Sequence, residues 1–120
     1  RGVLMTATEQ NFTMTSGDHH DLVFTIKDTN AVAQDITGWT FKWRMAPYRG
    51  ATDTVTKSTD DSSEVQITDA TNGVVKVYLV PADTSGIAGV YFHELESVAS
   101  SRTTTEATGS GHIIADHITS

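Results

Sequence analysis

The chain has 120 residues, 15 acidic against 8 basic, a formal net charge of −7 and no cysteine. That length suits one domain with a core of its own, and the missing cysteine excludes disulfides, thiol catalysis and cysteine-ligated zinc. The acidic balance opposes binding to nucleic acid and to anionic membranes and favours solubility, and no apolar run is long enough to span a bilayer.

At the N-terminus no basic stretch leads into an apolar run, so no signal peptide is expected. Met5, behind Arg1 to Leu4, reads as the candidate initiator, and residues 1–10 read as a flexible segment ahead of a single domain over residues 11–117. Leu22, Phe24 and Ile26 then alternate with Asp21, Val23, Thr25 and Lys27, the two-residue period of a half-buried strand. Asp28-Thr29-Asn30 is turn chemistry. The cleanest strand follows, with Trp39, Phe41, Trp43 and Met45 on one face and Thr40, Lys42 and Arg44 on the other. The polar run Ser58 to Ser63 reads as a mobile loop.

Val65 and Ile67 begin the next strand, and Val75, Val77 and Leu79 mark another. Asn72-Gly73 between them is a hairpin signal, because both residue types tolerate positive φ. The hairpin pairs Val65–Thr68 with Val74–Leu79. Pro81-Ala82-Asp83-Thr84 reads as a helical turn. Tyr91, His93 and Leu95 then share one face of a strand, with Val90, Phe92, Glu94 and Glu96 on the other. The Ser- and Thr-rich tract Ser97 to Thr108 reads as a hairpin with a flexible tip. Gly109-Ser110-Gly111 reads as the turn before a last strand from His112 to Ala115. Thr and Ser supply 20 and 10 residues, and the branched Cβ of Thr suits a pleated surface. Short strands at regular spacing predict an all-β fold, an immunoglobulin-like antiparallel β-sandwich of about 7–8 strands.

The segments with chemical potential are few. Asp18, His19, His20 and Asp21 carry imidazole and carboxylate ligands, with His112 and His117 as distant partners. Consecutive residues of an extended chain point to opposite faces, so this run supplies at most two convergent ligands and the expectation is a solvated loop with no metal. Asp60, Asp61 and Glu64 lack the spacing and glycine of a calcium loop and read as a solvated turn. No strained nucleophile elbow, phosphate loop or paired-carboxylate pattern is present, so neither an enzyme nor a cofactor is expected. Trp39 and Trp43 could stack on a glycan if exposed, but Phe41 and Met45 on the same face make them a core stripe.

The ordered set of elements resembles a known family. It runs from Gly17-Asp18 through Asp35-Ile36-Thr37-Gly38-Trp39, Val55-Thr56-Lys57, Ile67 to Gly73, Val75 to Leu79, Pro81 to Thr84 and Gly89 to Glu96, closing on a glycine-led strand. It is similar to the small immunoglobulin-like virion proteins of tailed bacteriophages and prophages, in particular to the N-terminal domain of baseplate upper proteins. The resemblance covers about Phe12 to Asp116. It implies a structural domain in the virion, made in the host cytoplasm, that docks through its sheet edges and loops onto other virion proteins of the tail, baseplate or head surface. Such a domain acts as a homo-oligomer or in many copies of a symmetric assembly. Baseplate upper proteins carry a C-terminal extension after this domain, which the 120 residues do not include, so docking is what the resemblance implies and receptor-binding assembly is not carried over. A carbohydrate-binding or host-adhesion module, with a glycan as partner, is the alternative. Partner contacts are expected at Lys42, Arg44, Tyr48, Arg49, Asp60 and Asp61.

Overall fold

A computed structural model describes residues 8–116, which form two packed β-sheets. The larger sheet contains β1 (Thr8–Glu9), β2 (Phe12–Thr15), β4 (Thr40–Ala46), β5 (Val55–Ser58), β8 (Gly89–Ala99) and β9 (Arg102–Ile114). Its order is β1 and β2 side by side along β9, then β8, β4 and β5. The smaller sheet has the order β3 (His20–Thr25), β7 (Val74–Leu79), β6 (Val65–Asp69). The chain crosses between sheets after β2, β3, β5 and β7, which is the immunoglobulin-like connectivity: a three-stranded sheet faces a sheet built around β9, β8 and β4, with β5 added at its edge.

The alternating apolar residues make the core. Leu22 and Phe24 of β3, Val75, Val77 and Leu79 of β7 and Val65 of β6 face Phe41, Trp43 and Met45 of β4, Leu95 of β8 and Ile113 of β9, all buried. Each large apolar side chain buried this way stabilises the fold by about 1.5–3 kcal/mol. The β6–β7 hairpin forms as its Asn-Gly signal predicts, with a bulge between Ile67 and Asp69. Gly73 adopts φ 72°, and a Cβ there would lie 2.6 Å from the Ile26 carbonyl oxygen. Only glycine fits. The helical turn α1 (Pro81–Thr84) also forms where expected, with the Asp83 carboxylate accepting the Val80 N–H at 2.8 Å.

Three expectations need correction. First, the sandwich is not wholly antiparallel: β1 and β2 run parallel to β9. After β2 the chain crosses directly to the other sheet. The crossing is pinned where the Ser16 hydroxyl donates to the Thr84 carbonyl at 2.6 Å and the Gly17 N–H to the Thr84 hydroxyl at 2.9 Å. Residue alternation reports which face a side chain takes, not strand direction. Second, Gly109-Ser110-Gly111 is no turn but the middle of the 13-residue β9. The glycines are there because the N-terminal segment crowds them: a Cβ on Gly109 would overlap the Gln10 carbonyl ahead of β2, and one on Gly111 the Phe12 ring of β2. Third, Thr8 and Glu9, within the segment expected to be flexible, already belong to the sheet, since they pair with Ala107 and Thr108. The rest of the expected N-terminal segment, Arg1 to Ala7, lies outside the described residues, as do His117 to Ser120. The expected hairpin over Ser97 to Thr108 is present, and its tip residues Ser100 and Ser101 take left-handed φ values of 51° and 67°.

Candidate functional site

The outer face of the larger sheet divides into a charged half and an apolar half. Both follow from strand parity, since inward Trp43 leaves Lys42 and Arg44 outward, and inward His93 and Leu95 leave Phe92, Glu94 and Glu96 outward. In the charged half, the Arg44 guanidinium lies 3.5 Å from Glu96, 3.6 Å from Glu94 and 4.0 Å from Asp53. Lys42, exposed, stands across from Glu96 on one side and Ser58 on the other. Arg44 is therefore engaged within its own sheet rather than presented as a free cation.

The apolar half lies at the far end of β4. Val90 is 64 % exposed, Tyr48 67 % and Ile114 42 %. Beside them the Arg49 guanidinium sits 4.5 Å from the centre of the Phe92 ring, which holds a positive charge over an apolar surface. Pro47, Arg49, Val90, Phe92, Ser110 and Glu9 line a shallow depression of about 390 Å³ here. These exposed apolar side chains occupy the same outer face and its adjoining loop as the charged half.

The sequence-derived candidates separate into three places. Lys42, Arg44, Tyr48 and Arg49 share the outer face and its adjoining loop. Asp60 and Asp61 lie in the β5–β6 connection near Thr59, which bonds to Phe41 at the opposite end of β4 from Tyr48. That connection was expected to be a mobile loop, and it carries an ordered turn of its own: Asp61 accepts from the Ser63 hydroxyl at 2.7 Å and the Ser63 N–H at 2.9 Å. Those bonds hold the Asp61 carboxyl below its ordinary value of 3.8. The histidine run divides over two faces as strand geometry demands. His19 and Asp21 are exposed, whereas His20 turns inward and stacks on Phe12 at 5.7 Å. Among the described residues no group of three or more His, Asp or Glu converges on a metal-sized site. Trp43 is fully buried and Trp39, half-buried, packs against the core, so the two tryptophans do not form an exposed pair.

Two of the sheet edges, β5 and β6, carry features that oppose pairing. β5, an outer strand, turns Lys57 inward to an ion pair with Asp83 at 2.8 Å, and its Ser58 N–H is taken by the Glu64 carboxylate at 3.2 Å. β6 carries the bulge. An inward charge and a bulge are two devices that keep an edge from templating another strand.

Val90, Phe92 and Ile114 are the site residues that a reading by motif misses. Their signal is present: apolar residues on the outward parity of a strand whose inward parity is already apolar. No protein family and no curated protein matches this chain.

Proposed function

We propose that this domain is a non-enzymatic structural component of a tailed-phage or prophage virion, a tail, baseplate or head-surface accessory, that docks onto neighbouring virion proteins. The surface is the apolar half of the outer face of the larger sheet with the Tyr48–Arg49 loop. The observation that carries the docking reading is the exposure of Val90, Tyr48 and Ile114 on the face and adjoining loop that also hold the Arg49–Phe92 stack, because a sheet face that leaves aromatic and aliphatic area in water gains most by being covered. The virion assignment is supported by the ordered sequence elements from Gly17 to Glu96. Docking proceeds by face and loop, since the inward Lys57 and the β6 bulge disfavour strand addition at those edges.

Mass spectrometry of particles purified from the source that encodes the chain tests the reading. The chain is expected in every preparation, in a fixed ratio to a major capsid or tail protein. Its absence from intact particles would sink the assignment. A Val90→Asp variant with unchanged circular dichroism is expected to drop out of the particles, and undiminished incorporation would move the docking surface elsewhere.

A further inference from the structure

His93 is fully buried in the middle of β8, and both of its ring nitrogens are committed. The Trp43 indole N–H donates to Nδ1 at 3.1 Å, and Nε2 lies 2.6 Å from the Gln10 carbonyl oxygen. An indole nitrogen only donates, so Nδ1 must accept, and the single proton of the neutral ring sits on Nε2, which donates to Gln10. Around the ring stand Phe12 edge-on at 5.0 Å, and Phe24 and Trp43 at 6.4 and 5.8 Å. Gln10 follows β1 in the two-residue link to β2, and its own N–H donates to the Thr108 carbonyl at 2.8 Å. One imidazole thus joins the centre of the core to the parallel strands at the margin of the larger sheet.

The geometry points to His93 as an acid-sensitive latch on β1 and β2: a proton taken up at Nδ1 opens the strands around Gln10 and Phe12 away from β9. A proton on Nδ1 turns the acceptor into a second donor facing the Trp43 N–H, so that hydrogen bond cannot survive. The charged ring must then reach water. Trp43 and Phe24 are sealed inside, whereas Gln10 and Phe12 are only half-buried, so the route runs past the N-terminal strands.

The charged groups on neighbouring elements offer the imidazolium little. Lys42 and Arg44 of β4, and Glu94 and Glu96 of β8, belong to the outer face. Asp21 of β3 is exposed on the far side of the smaller sheet, and His20 lies behind the Phe12 ring. Glu106 of β9 is held by the Ser97 hydroxyl at 2.6 Å. Burial pushes the His93 imidazole below its ordinary value of 6.5, against the opposing effect of the Gln10 carbonyl.

Hydrogen exchange of the backbone amides tests the latch. Protection of the amides of residues 9–15 is expected to fall by about tenfold per pH unit below the ordinary histidine range, the signature of one proton taken up on opening. Amides of β6 and β7 serve as the internal reference and keep their protection. His93→Gln preserves an acceptor and a donor without a titrating group, and its residues 9–15 are expected to show no such fall. Equal pH dependence in H93Q, or constant protection of residues 9–15 in the unsubstituted protein, overturns the proposal. Should H93Q not fold, the 15N and 13C shifts of the His93 ring in the unsubstituted protein decide. An Nε2–H tautomer whose protonation tracks the exchange of residues 9–15 supports the latch, and an Nδ1–H tautomer or a ring that titrates without that exchange overturns it.

Discussion

The two sheets are held together by different physics. The fully buried side chains of the smaller sheet are all hydrocarbon, Leu22 and Phe24, Val75, Val77 and Leu79, and Val65, with His20 only half-buried at its end. The larger sheet and its connections bury Ser16, Lys57, His93 and Ser97 as well, each with a partner. Apolar packing is non-directional and tolerates exchange of one hydrocarbon for another, whereas a buried polar group is costly unless its partner stays in place. Small substitutions should therefore be absorbed by one sheet and felt sharply by the other.

The strongest way to break that asymmetry is at Lys57. Asp83→Ala removes its carboxylate and the acceptor for the Val80 N–H at the start of α1. Leaving Lys57 buried without a counter-charge should cost about 3–5 kcal/mol, read as a lowered urea midpoint. Adding Lys57→Met to the same chain should recover most of the loss.

Next in size is His93→Leu. It strands the Trp43 N–H and the Gln10 carbonyl, at about 1–3 kcal/mol for each group left unsatisfied. The matching apolar exchange in the smaller sheet, Leu79→Met, should stay below about 1.5 kcal/mol. Equal urea midpoints for the two variants would erase the contrast between the sheets.

Acid should act through the larger sheet first. His93 in the fold binds its proton less readily than its ordinary value of 6.5 allows in the unfolded chain. Between the two values the unfolded state holds the extra proton, so stability falls as pH drops below 6.5, by about 1.4 kcal/mol per unit until the folded value is reached. Glu106 works in the opposite sense. Burial raises it above 4.5 despite the Ser97 hydroxyl, so its contribution is lost as pH rises through that range. Asp35 and Asp61, lowered from 3.8 by bonds from Thr37 and Ser63, stabilise the fold above that value, and their contribution is lost only as pH falls below it. Thermal midpoints between pH 8 and 5 should decline, and His93→Gln should flatten the decline. A flat profile in the unsubstituted protein would count against the latch.

The smallest effect belongs to the surface. Arg44→Met removes one cation from three carboxylates on a face open to water, and should change stability by less than about 1 kcal/mol.

The class of fold and most of the core were legible because residue alternation is a local signal. Phe41, Trp43 and Met45 point inward wherever β4 lies, and so do Val75, Val77 and Leu79 on β7. The Asn72-Gly73 turn and the α1 turn were legible for the same reason, as their backbone requirements fall within four residues. The candidate contact residues were legible only in part. Tyr48 and Arg49 border the apolar half, but Arg44 is committed to carboxylates on β8 and in the β4–β5 connection, and Asp60 and Asp61 lie at the other end of β4.

By itself the sequence determined which side of each strand meets the core and where the chain turns, since both depend on neighbours a few residues away. Only the tertiary structure decided that β1 and β2 run parallel to β9, that Gly109 and Gly111 lie against Gln10 and Phe12 rather than in a turn, and that His93 is bonded to both Trp43 and Gln10. Those choices join residues 50 and 83 positions apart, and a two-residue period carries no information about which distant strand comes alongside.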